Sequence, residues 1–353
     1  SMNIMMQAMP ERCFDVGIAE GHAVTFSAGL AAGGMHPVCN IYSSFMQRAY
    51  DNVIHDVALQ NLPVTLCIDR GGLVGEDGAT HHGAFDLAYF SCIPNMIVAA
   101  PMDEVELRNM LYTATNTHSP YSIRYPRGAG AGTEWREREF ETIPTGKGRR
   151  LKTGEDLAIV TIGTAGNFAA EAIGRVEAEG KVSVAHYDLR FAKPLDEELV
   201  LKAAKETGAI VTAEEHSVIG GLGDATAAAL VNMDGVRLTK LGLNDEFGQS
   251  GKPADLLKYY KLDAAGIAES VELHLLRIGV PTRFADERVA GIERAQKRVA
   301  DHRNVGCAQP ALQFKSGWRL ASDVVACMEP QGRRLACAVV RPPIGEAPLV
   351  AVH

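Results

Sequence analysis

Along residues 10–276, short apolar runs rich in β-branched side chains alternate with segments whose apolar positions recur every three to four residues. That alternation predicts helices covering parallel sheets. Residues 12–18 read as a strand, 21–32 as a helix and 37–42 as the next strand. Residues 44–60 carry apolar side chains at 45, 46, 49, 53, 54, 57 and 59, close to a 3.6 period, which predicts one helix. A continuous apolar run at 63–68 then suits a strand buried on both faces. Residues 71–83 hold five glycines and almost no periodicity, and so long a loop in a compact domain is usually functional. A strand at 95–100, a helix at 103–115 with Asp103 as its N-cap, and a strand at 121–125 complete the first unit.

Residues 130–155 are polar, charged and aperiodic, which predicts an interdomain crossing over the surface. Strands at 157–163, 182–189, 209–214 and 236–241 follow, separated by helices near 166–179, 195–207 and 222–232 and closed by a helix at 263–276. The expected architecture is therefore α/β, with two parallel- or mixed-sheet domains at 1–132 and 156–276 joined by a linker at 133–155. Residues 277–353 are left as an unassigned tail, because ten Arg face two Lys there and the net charge turns from about -13 to about +5. A separate small module or a sequence foreign to the rest, disordered or not, would each produce that shift.

The 353 residues suffice for two or three cores, and a net charge of -8 argues against a nucleic-acid partner. No run of 18 uncharged apolar residues would span a bilayer, so a cytoplasmic enzyme is expected. The seven cysteines form no CxxC pair and read as reduced thiols, mostly core. Ser1 before Met2 reads as a cloning remnant, and the near-immediate start in a strand leads us to expect that an upstream part has been removed.

Open α/β sheets place ligands beyond the carboxyl ends of their strands, which makes Glu20, residues 42–48, 70–82 and 124–127 candidates for one site. Glu20 taken alone also suits a helix N-terminus, and Arg124 and Arg127 also suit plain surface charge. Three arginines near strand ends, with Arg70, nevertheless fit a phosphate or carboxylate. In GLVGEDGATHHGAFD, adjacent His81 and His82 point apart and lack HxxxH spacing, so no metal ligands are assigned. A loop histidine is better placed to transfer protons near neutral pH, and a solvated loop is the alternative.

The runs CFDVGIAEGHAVTFSAGLAAGG, PVCNIYSSFMQRAYDNVIHDVALQNLPV, IDRGGLVGEDGATHHGAFDLAYFSCIPNM and SIRYPRG resemble the pyrimidine-binding domain of the 1-deoxy-D-xylulose-5-phosphate synthases, within the transketolase superfamily. DLRFAKPLDEELV and VTAEEHSVIGGLGD resemble their carboxyl-terminal domain. The resemblance implies thiamine diphosphate as cofactor, with Glu20 hydrogen-bonding a ring nitrogen of its aminopyrimidine and Phe45 stacking on that ring. It implies condensation of pyruvate with glyceraldehyde 3-phosphate and loss of carbon dioxide, a step towards isoprenoids, thiamine and pyridoxal. Tyr42, Arg70 and Arg127 are implied in the acceptor phosphate pocket, while Arg48, Asp77 and His81 are implied to contact the donor adduct, acceptor hydroxyls and transferred protons. Arg124 is left as structural.

The family's GDG motif with its downstream Asn, which holds magnesium and the cofactor diphosphate, has no match in the chain. The expectation is thus a half-enzyme, homodimeric and inactive alone, needing an amino-terminal diphosphate-binding domain in cis or in trans. A beta-type subunit of a two-chain 2-oxo acid decarboxylase is a second reading, against which the loop around His81 argues. A non-catalytic dimerisation module is a third.

Overall fold

The computed structural model describes residues 3–179, 182–279 and 351–352. Residues 280–350 and 353, which make up nearly all of the sequence-defined tail, lie outside the described residues. The first sheet is built on β1 (Phe14–Asp15), β2 (Val38–Tyr42), β3 (Thr65–Asp69), β4 (Ile97–Ala99) and β5 (Tyr121–Arg124). The second is built on β6 (Arg149–Lys152), β7 (Leu157–Thr161), β8 (Val184–Asp188), β10 (Ala209–Ser217) and β11 (Arg237–Leu243). Two further strands, β9 (Phe191–Lys193) and β12 (Ala351–Val352), join the first sheet, whose order is β1-β12-β2-β3-β5-β4-β9. Strands β2, β3, β5 and β4 are mutually parallel, β12 and β9 run antiparallel to them, and β1 runs antiparallel to β12. The second sheet has the order β11-β10-β7-β8-β6, parallel except for β6.

Strand β7 shows why a continuous apolar run belongs at the centre of such a sheet. Ala158 and Val160 enter one apolar cluster while Leu157 and Ile159 enter another, because successive side chains leave opposite faces. Helices Ala165–Glu179 and Ala264–Arg277 cover the second cluster; helices Glu197–Thr207 and Leu222–Ala229 cover the first. The first cluster runs without interruption from Val24, Ile41 and Leu66 to Tyr187, Leu189 and Leu222, so the two sheets share apolar packing.

Several boundaries differ from the sequence reading. The strand read at 12–18 shrinks to Phe14–Asp15, both exposed. Within the segment read as linker, Arg149–Lys152 forms the edge strand β6 against β8. Residues 44–60 are helical in pieces, passing from α-helix Ser43–Met46 through a 3-10 turn to a π-helix at Val53–Ala58. There Leu59 and Leu62 donate to carbonyls five residues back, a registration that a 3.6 period does not reveal. Asp103 caps helix Glu104–Thr115 by accepting from the Glu106 N–H at 2.8 Å.

Candidate functional site

Strands β2, β3 and β5 are neighbours in one parallel sheet, with Tyr42 opposite Asp69 and Ile68 opposite Arg124. Their carboxyl ends are therefore level, and the residues that follow them converge. Glu20 opens helix Glu20–Ala32 and is 7% exposed. Its Oε1 lies 3.2 Å from Arg48 Nη1, and the Arg48 guanidinium lies 5.0 Å from the centre of the Phe45 ring. Phe45 stacks on Tyr42 at 5.4 Å, and the Arg70 guanidinium covers the other part of that row, 3.6 Å from the Tyr42 ring centre. His81 meets Phe45 edge-on at 5.1 Å.

Two concave regions flank this row. One, of about 560 Å³, is lined by Phe45, Arg48, Thr80, His81, Phe85 and Phe247. The other, of about 420 Å³, places Arg70 and Arg127 together with Asn40, Asp69, Glu104 and Tyr125. Arg127 Nη1 lies 3.5 Å from Asp77 and donates to the Val74 carbonyl at 3.3 Å, while Arg70 is paired with Asp69 at 2.6 Å. All eight residues singled out in the sequence thus belong to one connected set. Burial pushes the Tyr125 phenol well above its usual range, so it stays protonated and donates to Asn40 Oδ1 at 3.3 Å.

The loop bearing Asp77 and His81 has a fixed neck. Gly72 and Gly83 exchange N–H···O bonds at 2.8 Å, and Gly72 adopts a φ of +85°, a conformation that glycine takes at little cost. Thr80 donates its hydroxyl to the Asp77 carbonyl and so accepts from His81 Nδ1, 2.9 Å away, which leaves the lone pair on Nε2. His82 does the reverse. Its Nδ1 accepts from the Val74 N–H at 3.0 Å, and its Nε2 donates to the Gln249 carbonyl at 2.9 Å, so this ring is buried structure. Arg124 is likewise buried, paired with Asp86 at 2.7 Å and donating to the carbonyls of Gly83 and Glu215.

The sequence reading passed over Phe85 and Phe247, which meet edge-on at 6.4 Å on the wall of the larger cavity. Both are large, exposed apolar side chains outside the apolar runs, the one signal available for them. It also passed over Glu215. Among the described residues, no three His, Cys, Asp or Glu side chains converge as a metal site, and no helix is long and apolar enough to cross a membrane.

Comparison with known proteins accords with this geometry. Residues 3–131 match the family described as transketolase, pyrimidine binding domain, and residues 146–267 match transketolase, C-terminal domain. The chain is 53% identical to a 1-deoxy-D-xylulose-5-phosphate synthase of Bacteroides thetaiotaomicron over 273 residues, 77% of this chain and 42% of that protein. It is also 53% identical to the Bacteroides fragilis protein of the same name over 283 residues, 80% of this chain and 44% of that one. The chain thus spans under half the length of these curated relatives. A solved structure described as "Split gene transketolase, inactive beta4 tetramer" superposes with a TM-score of 0.69 at 35% identity, covering 76% of this chain and 86% of that one. A transketolase of Pichia stipitis shares the fold at a TM-score of 0.53 and 22% identity, over 67% of this chain and 34% of that one. The chain belongs to the transketolase family, of which it carries the pyrimidine-binding and C-terminal domains as two mixed-sheet α/β units, and that family works with thiamine diphosphate.

Proposed function

We propose that this chain supplies the pyrimidine site and the acceptor-phosphate site of a 1-deoxy-D-xylulose-5-phosphate synthase. The observation that carries the reading is the continuous row Glu20, Arg48, Phe45, Tyr42, Arg70, which joins a carboxylate and aromatic platform to a two-arginine cleft. A carboxylate that is 7% exposed, beside an aromatic ring that lines a half-open cavity, is a donor set suited to an aminopyrimidine. Glu20 would hold a ring nitrogen and Phe45 would support the ring face. When bound, thiamine diphosphate supplies the carbanion chemistry that lets pyruvate lose carbon dioxide and its two-carbon remainder join the aldehyde of glyceraldehyde 3-phosphate. Arg70 and Arg127 would hold the acceptor phosphate in a planar fork, with Tyr42 shaping the pocket. His81, whose ring meets Phe45 edge-on and whose Nδ1 is turned to Thr80, would move a proton through Nε2 to or from the reacting oxygen, and Asp77 and Arg48 would orient hydroxyl and carboxylate groups.

The diphosphate and its magnesium would be held by an amino-terminal domain, in cis or in trans, and the assembled enzyme would be a homodimer. The match to a structure described as an inactive beta4 tetramer supports inactivity of this half alone. The test is product formation from pyruvate and glyceraldehyde 3-phosphate with thiamine diphosphate and magnesium, by this chain alone and mixed with a separately made amino-terminal domain. We expect activity only on mixing, and its loss with Glu20→Ala. Silence of a mixture whose halves bind each other would refute the reading.

A further inference from the structure

Glu215 lies outside every motif to which chemistry was assigned, in the second domain, yet its carboxylate reaches the site's loop. It is 8% exposed, and its Oε1 accepts from the Leu73 N–H at 2.6 Å. A Cβ placed on Gly72 would come within 2.4 Å of that same Oε1, so the carboxylate lies flush against the backbone of the loop neck. The opposite limb of the neck is tied to the same residue by another route. Arg124 Nη2 donates to the Gly83 carbonyl at 2.9 Å and to the Glu215 carbonyl at 2.6 Å. Both limbs of the neck therefore end on one residue of β10.

We propose that Glu215 is a positioning residue, by which the second domain fixes the loop that carries Asp77 and His81 over the site. The five glycines of residues 71–83 make that loop costly to order, and the fixed neck supplies part of the order in advance. Asp77 and His81 sit beyond the neck, where Asp77 meets Arg127 at 3.5 Å and His81 meets Phe45 at 5.1 Å. A neck released by an ångström would misplace both, on a scale that typically costs about a hundredfold in rate. The inference rests on the reaction proposed above for its kinetic consequence, but its structural core does not.

Glu215→Gln keeps an acceptor for the Leu73 N–H, and Glu215→Leu removes it. In the full chain, amide hydrogen exchange should show Leu73 protected in the parent and in the Gln variant. In the Leu variant, exchange across residues 72–83 should rise at least about tenfold while β3 and β7 are unchanged. In the complex with the amino-terminal domain, the Leu variant should lower kcat by about ten- to a hundredfold and leave the KM for thiamine diphosphate unchanged, and the Gln variant should restore most of kcat. A fast-exchanging Leu73 in the parent would overturn the proposal without any variant. So would a Gln variant as impaired as the Leu variant, or accelerated exchange spread over both sheets. If the parent complex makes no product, the reaction assignment fails and hydrogen exchange alone decides the role of Glu215.

Discussion

Replacing Arg124 with leucine should cost this protein a large share of its stability, and the structure says why. The Arg124 and Asp86 side chains are only 7% and 2% exposed, and the guanidinium Nε lies 2.7 Å from Oδ2 and 3.0 Å from Oδ1. Leucine would leave the Asp86 carboxylate buried without its cation, which typically costs about 3–5 kcal/mol. The Glu215 carbonyl would lose a charge-assisted bond, adding about 1 kcal/mol, whereas the Gly83 carbonyl keeps the Gly72 N–H and adds little. We therefore expect a loss of about 4–6 kcal/mol in urea unfolding at pH 7.5, read from the midpoint at constant slope. In the double variant Arg124→Leu with Asp86→Leu, the charge penalty disappears with the charge, and the cost should fall about 2–3 kcal/mol short of the sum of the singles. A single variant that loses under 1 kcal/mol, or a double variant that loses the full sum, would refute the argument that the pair is held as a desolvated unit.

Two smaller effects are open to the same measurement. Asp103→Ala removes the side chain that accepts from the Glu106 N–H and should cost about 1 kcal/mol; an unchanged midpoint would show that water replaces the cap. Burial pushes the Glu214 carboxyl from 4.5 up to about 7, against the opposing pull of the Gly223 and Leu222 N–H groups and Arg124. The folded chain then holds that proton more tightly than the unfolded chain, so its contribution is full below pH 4.5 and is lost as pH rises to about 7, up to about 3 kcal/mol. Glu214→Gln should flatten the fall in stability between pH 5 and pH 8, and an unchanged slope would assign it to other groups.

The sheet-end residues were legible because their signals are local. Tyr42 and Arg70 end or follow apolar runs that read as strands, and the rule that ligands bind beyond strand ends places them together without any knowledge of distant contacts. Strand β9 was not legible, since three residues between β8 and a helix carry no period of their own and their partner β4 lies some ninety positions back. Phe247 was hidden similarly, on a loop whose neighbour in space, Phe85, belongs to the other domain. The pair Glu214 and Glu215 marks the limit most clearly. Two adjacent identical residues leave a strand on opposite faces, so one closes its own domain by accepting from Leu222 and Gly223 while the other crosses to Leu73. Nothing in the letters says which does which.

That division bears on where the chemistry resides. The residues assigned to cofactor and substrates all come from the first domain, yet the loops that carry them are held from the second. Glu215 holds the neck of residues 71–83, Gln249 accepts from His82 on the same loop, and Asn167 donates to the Met102 carbonyl at 2.8 Å beside the arginine cleft. Glu106, only 3% exposed in the first domain, depends on Arg190 at 2.7 Å and Arg149 at 3.1 Å, and with its other oxygen accepts from the Met102 N–H. Removing the second domain would strand that carboxylate without its cations and free both loops at once. The first domain thus carries the groups to which chemistry is assigned, and the second holds the loops that position them.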